Sequence, residues 1–599
     1  MAVNLALLAC IAAAVTASPE HIADCNDTAC MDDGTGLLQL EDGGRPEFGC
    51  KKEPCRAISL TQTVSCNIYS PFPDQASYEG LLVPDPDKAL EAFSRTQDRY
   101  SDVLHIGLWR RTGAYTAGLG ALQQAGVPMT VFLDKCAEIA VNVNFAAFPP
   151  TFYPQYARPY LQGYPVNWKQ DAFSSQLLAF STSAYVLRKK GAYLELDLAG
   201  TASTRTALQH SVNEQVKLAP STILRCRGFF DPSGPLLTKI EIVKPGGDTL
   251  TFDPSMGERW DLAKRSLHLM AKYVQDFAVH TAVHLYCVSV TAALQRALPR
   301  DSALDGMVDP HTFRNVQTYL EAVSLLHADH GSVLTGNVYS LNVSEINEVR
   351  ADTAKLAKGF LRDSLDEILD CEADDQSGGL KCPYAWWGGG AYAFAAPIHK
   401  FAHEITAAVL QDKGARKYLR SVEAQLRYSG LLGPRAPPLN LHTAAGLEHF
   451  LTNLIFIQTV LHAHHWTGRE YLSPLGPLLV DSVPLLSALE DPSLPSADAA
   501  INAAYPSITS GQLTAAALIF GTTTGQPQVP TLGQSTYFPT TRQLARAAKV
   551  FAQELDAVRA QASTLIPAGA VFAPLQFYPD ATPADPKPVG LWISQSCDS

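Results

Sequence analysis

Two groups of histidines stand in segments of the sequence that are otherwise apolar. His280 and His284 lie within a long helical pattern, and His462, His464 and His465 end the most apolar helical segment of the chain. Residues four apart lie on one side of an α-helix, so the imidazoles of the first pair can share one metal ion. Residues three apart can also share a face. A histidine among apolar neighbours is usually a hydrogen-bonded core residue, but two such clusters in two helices favour a metal site.

Other residues with chemical potential form weaker patterns. His399 and His403 also lie four apart, but they share their helix with Lys400 and Glu404, so we interpret them as solvent-exposed. The sequence contains no GxSxG nucleophile elbow, no GxxxxGKS/T phosphate loop and no HExxH zinc motif. The histidine clusters are therefore the leading candidates for chemistry.

Long helices are needed to position these histidines, and the apolar pattern predicts them. Apolar residues recur at three- and four-residue spacing over most of the second half of the chain. The predicted helices span 259–298, 310–327, 344–369, 391–411, 415–429, 444–466 and 540–564. Short strands are predicted at 229–230, 236–243 and 250–252. The expectation is a mainly α fold with a small β subregion.

Composition and charge bound the classes of function. The chain has 599 residues, of which 46% are hydrophobic and 17% are charged, values typical of a globular protein with a large core. Its net charge is -12 and it has no stripe of lysines and arginines, which argues against a nucleic-acid partner.

The N-terminal part of the chain predicts export. Residues 1–18 combine a short apolar run with small residues, the pattern of a signal peptide, and the run is too short for a transmembrane anchor. Residues 19–66 hold five of the 12 cysteines, and we interpret them as a disulfide-bonded extension. Glycosylation sequons at Asn26 and Asn342 agree with a secreted protein. Removing Cys10 with the signal peptide leaves an odd number of cysteines, and Cys287, in an apolar helical stretch, is the candidate for the free thiol.

Read in order, several segments resemble the catalytic domain of the lipoxygenase family. They are WKQDAFSSQLL (168–178), WDLAK (260–264), HTAVH (280–284), RALP (296–299), YAWWGGGAYAFAAPIHKFAHE (384–404) and LTNLIFIQTVLHAHHWTGREY (451–471). The resemblance implies a lipoxygenase-like helical domain over 67–599, with the cysteine-rich segment in place of the family's N-terminal β-barrel.

The resemblance also implies a metal site. The family binds iron through two histidines of one helix, a third histidine on another, a further side chain four residues later and the C-terminal carboxylate. Here His462 matches the third ligand, and His280 and His284 match the pair with HxxxH in place of HxxxxH. We infer a one-residue deletion that removes the family's π-type bulge. A rival alignment makes His280 a non-ligand and leaves one ligand missing.

Other positions depart from the family's pattern. The position four residues after His462, where the family has its further ligand, holds Trp466, which cannot bind a metal, although His465 could substitute for it. Ala322 matches the family's pocket position that sets stereochemistry, and Trp466 is expected near the same pocket. The polar C-terminus leads us to predict that Ser599 does not bind the metal and that a disulfide of Cys597 holds the tail elsewhere.

Three functions remain open. The resemblance implies a secreted dioxygenase with non-haem iron, or with manganese or zinc, that acts on a polyunsaturated fatty acid or a related apolar substrate and O₂. The second is an enzyme of the same fold whose altered site runs another reaction on a natural product. The third is a metal-free relative that binds a lipid or a partner protein.

Overall fold

The structure is a computed structural model that describes most of the predicted helices and strands. The described residues are 124–126, 169–180, 185, 187–197, 225–231, 233–234, 236–244, 247–273, 279–299, 302–312, 315, 356–374, 379–382, 392–433, 435–462, 485–504, 532–533 and 537–565. The predicted signal peptide and the cysteine-rich extension lie outside them.

Five strands form one antiparallel sheet in chain order. They are β1 (Leu187–Lys190), β2 (Tyr193–Asp197), β3 (Arg225–Asp231), β4 (Leu236–Val243) and β5 (Thr249–Phe252). In β4 the buried side chains of Leu237, Ile240 and Ile242 face the interior, and a register shift in β3 lies opposite the start of that strand. The strands predicted at 229–230, 236–243 and 250–252 are confirmed. The pair β1–β2 was not predicted because its sequence is short and rich in charge.

Two helices pack on the inner face of this sheet, α1 (Asp171–Phe180) and α2 (Glu258–Tyr273). Gly228 of β3 permits the close approach of α2, since a Cβ at that position would lie 2.9 Å from a methyl carbon of Leu267. Lys264 of α2 is fully buried, and its Nζ lies 2.6 Å from an oxygen of Asp171 and 2.8 Å from one of Asp261. The buried cation is thus paired with two carboxylates and joins the two helices.

The remaining helices form the larger, helical part of the protein. They are α3 (Thr281–Ala297), α4 (Asp305–Thr312), α5 (Leu365–Leu369), α6 (Ala395–Val409), α7 (Ala415–Tyr428), α8 (Ala444–Phe456), α9 (Leu486–Glu490), α10 (Ala497–Ala504) and α11 (Arg542–Leu565). A ribbon of β6 (Glu372–Asp374) and β7 (Gly379–Lys381) precedes α6. The predicted mainly α fold with a small β subregion is confirmed.

Helix α8 and its continuation lie at the centre of the core. Thr443 caps the helix by accepting a hydrogen bond from Gly446 N at 3.2 Å. Every described residue from 450 to 462 is buried, including the π-helical segment Ile457–Leu461. By length and composition Ala444–Leu461 could cross a membrane, but 72% of it is buried inside the protein. Burial of this kind is what a core helix requires.

The helix predicted to begin at 310 begins instead at Asp305, with Pro310 inside it. Asp305 N donates to Ser302 Oγ at 3.2 Å, which provides the N-terminal turn with an acceptor. Pro310 has no N–H, so the carbonyl of Gly306 lacks its helical donor. That carbonyl accepts from Phe538 N at 3.0 Å. The sequence pattern predicted Pro310 as the start of the helix. In the structure Pro310 lies within the helix and leaves a carbonyl free to bind a segment that is distant in sequence.

The helix predicted over 344–369 is interrupted before its last turn. Helical residues 356–362 end before Ser364, and α5 follows. Ser364 N and Oγ both donate to Glu367, at 2.9 and 3.0 Å. The SxxE sequence at 364–367 is the signature of a new helix start, which the apolar periodicity alone does not reveal.

Candidate metal centre

His280 and His284 lie together where α3 begins. Val279 and His280 are π-helical, and the α-helix starts at Thr281. The Nε2 atoms of the two histidines are 2.7 Å apart, and their ring centroids are 4.3 Å apart. Their rings share one side of the helix, as the four-residue spacing predicts. The residues from Thr281 to His284 are α-helical, and the described π geometry of this segment, at Val279 and His280, lies before them, so the inferred one-residue deletion stays a prediction.

The third histidine arrives from the central helix. His462 follows the π-helical segment Ile457–Leu461, and its side chain is fully buried. His462 Nε2 lies 3.2 Å from His284 Nε2, and the ring centroids of His280 and His462 are 5.6 Å apart. One ligand nitrogen from each of the three residues falls within 4.8 Å of the others. Two helices distant in sequence thus aim three imidazoles at one point.

The donor set fits a transition-metal ion. His284 Nε2 faces both other nitrogens, and a neutral ring nitrogen either carries one proton or offers one lone pair. It cannot donate to one neighbour and accept from the other, so hydrogen bonds alone satisfy this convergence poorly. Ligand nitrogens bound at about 2.1 Å to one ion lie about 3 Å apart, close to the observed separations. Three neutral imidazoles suit iron, manganese or zinc.

A buried amide pair braces the segment before His462. Asn315 Nδ2 donates to Gln458 Oε1 at 3.2 Å and to Thr291 Oγ1 at 3.0 Å. The same nitrogen lies 3.3 Å from the carbonyl oxygen of His311. The amide therefore connects α3, α4 and the π-helical segment. Neither residue was predicted from the sequence, where the signal for the pair is a glutamine inside an apolar helix, four residues before His462.

The remaining predicted site positions lie outside the described residues. These are His465 as a further ligand, Ala322 and Trp466 in the pocket, and Cys597 and Ser599 in the C-terminal tail. Their roles stay predictions.

Another buried histidine belongs to a different environment. Nε2 of His268 in α2 and Oγ of Ser174 in α1 are joined by a hydrogen bond of 2.5 Å. Desolvation by burial, with the nearby cations of Lys264 and Arg265, lowers the pKa of His268 to about 3. The ring is therefore neutral at physiological pH and supports the packing of α1 on α2.

The cysteines of the described residues are both bonded and free. Cys371 and Cys382 form a disulfide that closes the β6–β7 ribbon. The prediction that Cys287 is the free thiol is wrong, because Cys287 is disulfide-bonded. The apolar helical sequence around Cys287 favoured a buried free thiol. Whether another cysteine lies close enough to form a disulfide depends on the tertiary fold, which the local sequence does not contain. Cys226 carries a buried thiol in β3, and burial raises its pKa.

Comparison with known proteins places the fold. No protein-family model and no curated protein sequence matches the chain. Among solved structures it is similar to a lipoxygenase of Fusarium graminearum, with 15% identity, coverage of 79% of this chain and 90% of that one, and a TM-score of 0.56. A coral 8R-lipoxygenase shares 13% identity, with coverage of 88% and 83% and a TM-score of 0.54. A calcium-dependent 11R-lipoxygenase also shares 13% identity, with coverage of 78% and 69% and a TM-score of 0.52.

Such low identities carry information on the fold and not on the chemistry. The aligned part covers most of this chain. The helical part of this protein has the fold of the lipoxygenase catalytic domain.

Proposed function

We propose that this chain is a secreted, non-haem metal-dependent dioxygenase that acts on a polyunsaturated fatty acid or a related apolar substrate. The observation that carries the proposal is the convergence of His280, His284 and His462 within a lipoxygenase fold. One solved lipoxygenase of this fold was crystallised anaerobically in complex with arachidonate, which favours a fatty acid as the substrate class.

The chain's own residues define what the centre can do. The three imidazoles would hold iron, or else manganese or zinc, and burial of His462 keeps bulk water from its ring. When bound, iron or manganese supplies the one-electron chemistry for removing a hydrogen atom from a doubly allylic carbon, before O₂ adds to form a hydroperoxide. Asn315 and Gln458 restrain the segment that ends in His462, and so keep its ring oriented toward the pair.

Elemental analysis of the purified protein tests the metal site. We expect about one equivalent of iron, manganese or zinc per chain, and loss of that metal in His462→Ala with the helical content retained. His442→Ala, which changes a partly exposed histidine outside the cluster, should keep the metal. Less than about a tenth of an equivalent of any of these metals in the unaltered protein contradicts the proposal.

Oxygen uptake with linoleate or arachidonate tests the reaction. A metal-containing protein that consumes O₂ with these substrates supports the dioxygenase. A metal-containing protein that does not consume O₂ points to the second function, another reaction on a natural product. A protein without metal points to the third function, a lipid-binding or partner-binding relative.

Secretion forms part of the same proposal. The disulfide between Cys371 and Cys382 and the bonded state of Cys287 agree with an oxidising compartment. N-terminal sequencing of the protein from the medium of expressing cells should find a chain that starts at Pro19. Retention inside the cell with Met1 in place contradicts it.

A further inference from the structure

One side of α7 is a cationic face. Arg416, Lys417 and Arg420 are exposed on this helix, and Lys413 is exposed in the turn before it. A helix turns by about 100° per residue, so the three helical cations lie within an arc of about 100°. The opposite side of the helix is buried in the core, at Ala415, Tyr418, Leu419, Val422 and Leu426. The expectation that the chain has no stripe of lysines and arginines is wrong for this helix, because buried residues separate the cations in the sequence.

The four cations have no carboxylate partner among the described residues. The acidic side chains nearby are engaged elsewhere, since Asp412 accepts from Gly414 N at 2.9 Å and Glu423 accepts from Leu439 N at 3.2 Å. Glu423 also pairs with Arg427 and is only 13% exposed. The chain as a whole carries a net charge of -12, so this local excess of positive charge runs against its composition. Such a surface on an acidic protein indicates an anionic partner.

Two features favour a lipid surface as that partner. Tyr428 is 55% exposed and lies about three helical turns after Lys417, so it extends the same side of the helix. A tyrosine ring has an apolar body and a polar hydroxyl, which suits the boundary between lipid headgroups and acyl chains. Helix α7 also packs on α3, the helix that carries His284. A lipid surface at α7 is therefore separated from the histidine cluster by about one layer of helix.

We propose that the cationic face of α7, together with Tyr428, is a docking surface for an anionic phospholipid bilayer. The lysines and arginines approach the anionic headgroups, and the ring of Tyr428 enters the headgroup region. The apolar side of α7 stays in the protein core, so the helix adsorbs to the bilayer and does not insert its apolar face into it. Docking places the protein beside a supply of acyl chains, but the binding itself does not depend on the proposed dioxygenase activity.

Co-sedimentation of the full-length protein with lipid vesicles tests this surface. Vesicles of phosphatidylcholine with about one third phosphatidylserine should bind the unaltered protein, and vesicles of phosphatidylcholine alone should not. The triple variant Arg416→Gln, Lys417→Gln, Arg420→Gln should bind the anionic vesicles at least about tenfold more weakly. Added salt should weaken the binding of the unaltered protein, because the attraction is between exposed charges.

A matched control removes three cations from another helix. Arg542, Arg546 and Lys549 are exposed on one side of α11, which they share with Asp556 two turns later. The variant Arg542→Gln, Arg546→Gln, Lys549→Gln changes the net charge by the same amount and should bind anionic vesicles as the unaltered protein does. Circular dichroism should show equal helical content in both triple variants, because all six side chains are exposed.

A fluorescent label locates the contact independently of the charge variants. Ala424→Cys places a thiol at an exposed position of the cationic face, and Ala557→Cys places one at an exposed position of α11. The emission of an environment-sensitive label at position 424 should shift to the blue with anionic vesicles, and that of a label at position 557 should not. Tyr428→Ala should reduce the shift at position 424.

Three results overturn the proposal. They are undiminished vesicle binding by the α7 triple variant, an equal loss of binding in the α11 triple variant, and no difference in shift between the two labels. Binding of the unaltered protein to heparin but not to anionic vesicles also overturns it, and assigns the cationic face to a sulfated polysaccharide.

Discussion

At the scale of single residues, the buried amides beside the histidine cluster satisfy only part of their hydrogen-bonding capacity. Asn315 Nδ2 serves three acceptors, whereas Asn315 Oδ1 and Gln458 Nε2 have no partner among the described residues. A buried polar atom without a partner costs about 1–3 kcal/mol. The core therefore accepts a destabilising pair next to His462, as expected where residues are held for position and not for stability.

Replacing both amides should cost less than the sum of the costs of replacing each one alone. Asn315→Leu removes the only donor to Gln458 Oε1 among the described residues, so the whole amide of Gln458 is left buried without a partner, at a cost of about 1–3 kcal/mol. Asn315→Leu combined with Gln458→Leu should be less destabilised than the sum of the two single variants. Urea unfolding of the four proteins measures this coupling, and strictly additive effects would show that the amides do not act together.

His268 provides the residue-scale link between pH and stability. Its pKa is about 3 in the folded protein, against an ordinary value of 6.5. Between these values the unfolded chain binds a proton that the folded protein excludes, so this contribution to stability is complete above pH 6.5 and is lost as the pH falls toward 3.

The expected loss for His268 between pH 7 and pH 5 is about 2 kcal/mol in the free energy of unfolding. His268→Gln, which can still bond Ser174, should flatten the pH dependence in this range. Chemical denaturation of both proteins at the two pH values measures the difference. Parallel pH profiles for the two proteins would assign the loss to other groups.

At the scale of elements, α4 shows how one proline recruits a remote segment. The carbonyl of Gly306, left without its helical donor by Pro310, accepts from Phe538 N. The approach is so close that a Cβ on Gly306 would lie 2.0 Å from the carbonyl oxygen of Phe538. The hydroxyl of Tyr537, the residue before Phe538, lies 3.1 Å from Nε2 of His311, which also belongs to α4.

Gly306→Ala should therefore displace the segment around Phe538. The added methyl group would meet the backbone of Phe538, which cannot turn aside as a flexible side chain can, so we expect a cost of about 1–3 kcal/mol or more. Gly234→Ala is the matched control, since a Cβ there has no atom within 4 Å. Thermal or urea unfolding should separate the two variants clearly, and equal stability would mean that the segment moves without cost.

At the scale of the whole molecule, segments near the C-terminal end of the described chain close over the histidine-bearing core. Helix α11 packs along α6, and the rings of Phe401 and Phe551 stack with centroids 4.2 Å apart. Tyr537 adds a second aromatic contact to Phe401, with centroids 5.3 Å apart. Helix α6 in turn packs on α8, which leads to His462. Packing at the surface of the helical part is thereby connected to the centre through two layers of helices.

The disulfide of the β6–β7 ribbon should contribute to the stability of this assembly. Cys371 and Cys382 are 11 residues apart. Closing a loop of that size lowers the conformational entropy of the unfolded chain, which stabilises the folded protein by about 3 kcal/mol. We expect Cys371→Ala with Cys382→Ala to lower the free energy of unfolding by about 2–3 kcal/mol without changing the helical content. Guanidinium unfolding under non-reducing conditions measures this, and an unchanged midpoint would contradict it.

Local patterns in the sequence determined where many of the helices and strands of this protein lie. Apolar periodicity predicted α6, α7 and α11 to within a few residues, and the start of α8, because each helix has one face, or in α8 nearly all faces, in the core. The short strands predicted at 229–230, 236–243 and 250–252 lie within β3, β4 and β5. The spacing of His280 and His284 was enough to place both rings on one side of a helix.

Only the tertiary structure decided what these local elements meet. Whether His462 Nε2 reaches His284 depends on how α8 crosses α3, and no local pattern contains that distance. The same holds for Glu448, which joins two histidines that the sequence shows only as exposed, and for the disulfide-bonded state of Cys287. Contacts between residues far apart in the chain depend on helix packing summed over the whole core, so a sequence can supply the ligands while the fold alone brings them together.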